Sequence, residues 1–127
     1  MIRVLALALF AALAALPAAA QNYLGTYTAW ISNQDLYNSN GQRLTEAWQI
    51  VRQDRANVHR FNRIDAGDAI DGWFANANAR AALEQALRNG GIDPNSRILI
   101  LQGNSWVQVD LWGWGNQITG ARASAYR

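Results

Sequence analysis

Trp106, Gln108, Asp110 and Trp112 occupy alternate positions of the stretch SWVQVDLWGW. In an extended strand alternate side chains share a face. Two indoles would then flank an amide and a carboxylate on one surface, with Val107, Val109 and Leu111 on the other. Flat rings interleaved with hydrogen-bonding groups suit a ligand with apolar faces and polar edges, such as a sugar ring or a peptide chain. Residues 23–32, YLGTYTAWIS, also alternate, with Tyr27, Ala29 and Ile31 on one face and Thr26, Thr28, Trp30 and Ser32 on the other. If the two strands pair antiparallel, Trp30 and three hydroxyls join the same surface. The expected ligand-binding set is therefore Trp30, Trp106, Gln108, Asp110 and Trp112, with Trp114 extending the parity past Gly113. A structural aromatic cluster is the competing account, since cross-strand pairs stabilise sheets by roughly 0.2–1 kcal/mol each. Trp48, on a predicted helix, is placed to pack against Trp30.

A second concentration of chemistry lies in RQDRANVHR, residues 52–60. At about 100° per residue, Asp54 falls inside the apolar arc of a helix, between Ile50 and Val58. Arg55 lies beside Leu44 and Val51, and His59, the only histidine, sits at the rim. Buried charge is costly unless paired, so Asp54 and Arg55 are expected to form a structural polar network. An acid–base pair of Asp54 and His59 is disfavoured, because five residues put the two side chains about 140° apart. A catalytic role is not expected. The weak candidates for one, in an alternative reading as a small envelope hydrolase, are Asp54, His59 and Asp110. A glycosidase would need two facing carboxylates, which Asp35, Glu46 and Asp110 could supply only if the fold brings two of them together.

Other chemistries leave less trace. DAGDAIDG spaces Asp65, Asp68 and Asp71 three apart, which breaks the alternation of a calcium loop. It reads instead as a solvated loop whose Asp71 helps start the next helix. One histidine and no cysteine disfavour zinc, and no cofactor is expected. Ser32, Ser39, Ser96, Ser105 and Ser124 all lack the glycine-flanked elbow of a serine nucleophile.

The elements that would position these groups follow from periodicity. The apolar positions Leu44, Ala47, Trp48, Ile50, Val51, Val58 and Phe61 cluster within roughly 160° and predict a helix over 44–61, capped by Thr45 or a neighbour. Residues 62–72 read as a loop. A second helix is predicted over 76–89, with Asn76 as N-cap and Gly90 and Gly91 as the stop. RILILQ, 97–102, fits a buried strand or a helical turn, and the DPNS before it favours a short helix. A strand follows over 105–113. The order suggests one α+β domain, with the first and last strands adjacent in a small antiparallel sheet, packed with two main helices and one short element.

The N-terminal residues bound the compartment. Arg3 precedes the apolar run VLALALFAALAAL, then Pro17 and three alanines. This pattern predicts a cleaved secretory signal over residues 1–20; a membrane span would need about 20 uninterrupted apolar residues. The expected mature domain, 21–127, then has no membrane span and lies in the periplasm or outside the cell. The chain holds no cysteine and no lysine, and its eleven basic residues, all arginine, stand against nine acidic ones. The arginine- and alanine-rich composition points to a GC-rich bacterial genome. So small a basic excess, with no basic stripe, argues against nucleic acid. The expectation is an exported, non-catalytic binding or interaction module whose ligand is an envelope glycan or a peptide, or else a structural subunit using its aromatic face as a protein contact.

Overall fold

A computed structural model describes residues 21–61, 72–115 and 117–127; the expected signal at 1–20 and the acidic loop with Asp65, Asp68 and Asp71 lie outside the described residues. The elements run β1 (Asn22–Ile31), a 3-10 turn (Asn33–Leu36), α1 (Ala47–His59), α2 (Ala77–Arg88), α3 (Pro94–Gln102), β2 (Ser105–Trp114) and β3 (Gln117–Tyr126). The three strands form one antiparallel sheet with β2 in the centre. The architecture is α+β.

Local chemistry sets the helix ends. Gln49 Oε1 accepts from the backbone N–H groups of Thr45 and Glu46 at the start of α1. The Asn76 side chain caps α2 through the Asn78 N–H at 2.7 Å. Asp93 caps α3, whose first residue is Pro94, a position where the missing N–H costs nothing. Residues 97–102 are therefore helical. The Asp93 carboxyl pKa lies below its ordinary value, because the Ser96 hydroxyl and then the Ser96 N–H donate to the carboxylate. Ser96 in turn accepts from the Ala125 N–H at 2.9 Å, tying this cap to β3.

All three helices lie against one face of the sheet. Tyr27, Ala29 and Ile31 of β1, Val107, Val109 and Leu111 of β2, and Ile118 and Ala123 of β3 join Ile50, Val51, Leu83, Leu87 and Ile100 in one buried core. The third strand was absent from the sequence reading. Its core positions are mostly alanine, a weak strand former, and its alternation breaks. Trp112 is opposite Gly120 but Gly113 is opposite Ile118, so Thr119 is an extra residue that flips the parity of β3. Leu24 plays the same part in β1, where Tyr23 faces Trp112 and Gly25 faces Leu111. Both outer strands thus bulge beside Trp112. Gly25, at φ +148°, accommodates its bulge with the Trp73 ring so close that a Cβ would stand 2.8 Å from it, a place only glycine fills without strain.

Candidate functional site: the open sheet face

The face away from the helices is built in cross-strand rows. One end carries Trp30, Trp106 and Tyr126 in register. The next two rows are Thr28–Gln108–Ser124 and Thr26–Asp110–Arg122, and the far end is Tyr23–Trp112–Gly120. The face is therefore aromatic, polar, polar, aromatic along its length. Six residue steps along β2 separate the aromatic rows, a span of about 20 Å. Trp30, Trp106 and Trp112 are partly exposed, and none belongs to the core or packs against it. Among the described residues no helix covers this face, and Gln108, Arg122, Ser124 and Tyr126 along it are exposed.

The indoles are held by edge-to-face contacts. Trp30 meets Trp106 with ring centroids 5.2 Å apart at 68°, and Tyr23 meets Trp112 at 5.8 Å and 65°. Such pairs contribute about 0.5–1.5 kcal/mol each and fix ring orientation. Trp30 does not pack on Trp48, as its helix position suggested: the two lie on opposite sides of the sheet, and Trp48 lies instead beneath the Arg88 guanidinium, 4.9 Å from its ring centroid. The polar groups between the rows are mutually engaged. Gln108 Nε2 donates to Asp110 Oδ1 at 3.3 Å, and Thr26 Oγ1 donates to the Val109 carbonyl at 3.0 Å. Trp114 is 40 % exposed at the hairpin end and lines a separate cavity of about 660 Å³ with Trp73.

The residues weighed for catalysis are kept apart. Asp110 is on the open face, whereas Asp54 is buried in α1 beneath the other face. Arg55 Nε donates to Asp54 Oδ2 at 2.7 Å, and the Arg55 guanidinium lies 4.4 Å from the centre of the Tyr27 ring. Both side chains are at most 1 % exposed. Asp35 is fully buried as well. It accepts from the Ser32 N–H at 2.9 Å and from Asn57 Nδ2 at 2.7 Å, which joins the turn after β1 to α1. Both carboxylates lie beneath the core side of the sheet and do not face Asp110. His59, at the end of α1, is partly exposed and is likewise across the sheet from Asp110. Among the described residues no three His, Cys, Asp or Glu side chains are grouped to hold a metal ion, and no helix is long and apolar enough to cross a membrane.

Sequence reasoning missed Tyr23, Arg122, Ser124 and Tyr126 on the open face. The signal for the last three was present: a Gly-Asn pair between two strand-like runs is a hairpin signature in sequence, and Gly115 has the positive φ, 54°, that such turns favour. Compared with protein-family models, with curated proteins and with solved structures, the chain matches none.

Proposed function

We propose that the protein is an exported, non-catalytic binding module of the cell envelope, and that its open sheet face takes a chain-like glycan or peptide. One observation carries this reading: two aromatic rows bracket two polar rows on a face that no described helix covers. Apolar faces of a ligand would stack on the indoles, and its edges would meet Gln108, Asp110, Arg122 and the hydroxyls. Scale favours such a ligand over a subunit contact. Three strands about 4.8 Å apart and a length of about 20 Å give a footprint on the order of 200–300 Å². A stable protein interface needs about 800 Å² per partner.

The test is binding of the purified domain to immobilised peptidoglycan and to soluble peptidoglycan fragments, read by sedimentation and by tryptophan fluorescence. Wild type is expected to bind, and Trp106→Ala and Trp112→Ala to weaken binding while keeping the far-UV circular dichroism of wild type. Saturable binding to extended peptides instead, with the same mutational pattern, assigns the peptide arm. A face that binds neither, and whose alanine variants change only a dimeric native mass, would overturn the reading in favour of a subunit contact.

A further inference from the structure

Across the molecule from the open face, α1 and α2 enclose a groove of about 310 Å³. Arg52, Arg60 and Arg80 line it, with Trp48 and Phe61 as aromatic walls. Among the described lining residues Glu84 is the only carboxylate, and it is engaged by Arg52 at 2.8 Å. Arg80 is nearly buried, 7 % exposed, and its Nη1 donates to the Phe74 carbonyl at 2.7 Å. The Arg60 guanidinium lies 5.1 Å from the centre of the Phe61 ring. Three guanidinium groups thus share a small cavity with one carboxylate. Their mutual repulsion is felt at Arg80, whose pKa is held below the ordinary value by burial and then by the charges of Arg52 and Arg60.

We propose that this groove is a binding site for a phosphate monoester. The reasoning is one of charge and shape. The described lining residues carry a surplus of two positive charges, and a phosphate monoester brings close to two negative ones with three acceptor oxygens. Guanidinium groups present planar donor forks that match such oxyanions. Trp48 and Phe61 give the group that bears the phosphate an apolar surface to lie against. The site is independent of the sheet face, because Arg52, Arg60 and Arg80 all belong to the helical layer.

Titration calorimetry on the full domain with glycerol 3-phosphate, and sedimentation with phosphatidic acid vesicles against phosphatidylcholine vesicles, test the proposal. Saturable binding of the soluble ester, or of phosphatidic acid vesicles alone, supports it and names a free or a lipid source. Arg60→Gln is expected to lower affinity by roughly tenfold or more, the worth of one charge-assisted contact; Arg60 is exposed, so the variant should fold. Glu84→Gln should raise affinity, because it removes a competing anion and releases Arg52. Arg97→Gln, on α3 outside the groove, should leave binding unchanged. Absence of saturable binding to either probe overturns the proposal, as does binding that Arg60→Gln and Glu84→Gln leave unaltered or that Arg97→Gln weakens equally.

Discussion

Val109 and Trp112 lie three residues apart on one strand and meet different surroundings. Val109 is fully buried beneath the helices, and Trp112 borders solvent on the other side of the sheet. Val109→Asp would place an unpaired carboxylate in the core and should unfold the domain. Trp112→Ala should leave it folded, losing the Tyr23 ring contact, about 0.5–1.5 kcal/mol, together with the burial of the indole's covered part. Thermal melts of both variants check this. Asp54 and Arg55 give a second expectation at this scale. Alanine at either position removes the ion-pair partner of the other charge in the core, so each variant should lose about 3–5 kcal/mol in chemical denaturation. The apolar and polar faces of β1 and β2 were legible because strict alternation needs only a period of two. The partners of the buried charges were not, because a helix wheel gives direction and not the neighbour. It pointed Asp54 and Arg55 at the core and at partners across the fold, whereas they pair with each other, with Arg55 against the Tyr27 ring.

Among the elements, α3 shows how one carboxylate joins a helix to the sheet. Asp93 holds Ser96, and Ser96 holds the Ala125 N–H of β3. The folded Asp93 pKa lies below its ordinary value, set first by the Ser96 hydroxyl. Its contribution to stability is therefore complete above the unfolded pKa, about 3.9, and is lost as pH falls through the lower folded value. Asp93→Asn keeps a capping residue but does not titrate. The melting-temperature gap between wild type and Asp93→Asn should accordingly shrink from neutral to strongly acidic solution; a gap independent of pH would show that Asp93 is not the titrating link. The first two helices were readable from their caps and apolar periods, and α3 only from the DPNS cap, since RILILQ fits strand and helix alike. The third strand was not, because Thr119 reverses its alternation and Ala121, Ala123 and Ala125 supply its inner side. The groove arginines escaped notice for a related reason. Arg52 lies in α1, Arg60 at its C-cap and Arg80 in α2, and only the packing of α1 on α2 brings them together.

At the scale of the molecule, the proposed cleavage site falls just ahead of β1. The expected cleavage after Ala20 would free a chain whose first strand starts one residue later, at Asn22. N-terminal sequencing of protein recovered from periplasm or medium should read from Gln21 or close to it. An intact Met1 species lodged in the membrane would contradict that.

The central strand has a further consequence. Along β2 each residue that anchors the core is followed by one that faces outward, so Val107, Val109 and Leu111 share a backbone with Trp106, Gln108, Asp110 and Trp112. Such a surface has no part that opens while the rest stays closed. It is finished when the domain folds and is lost only when the domain melts. A molecule seated on it therefore pays little to order the protein, and its affinity is passed on whole to the folding equilibrium. At a hundred times its dissociation constant it would add about 2.7 kcal/mol, enough to displace the melting curve of a domain this size by several degrees. The protein is in this sense its own reporter: heat applied to a panel of envelope fractions would single out the ligand before its chemistry is known.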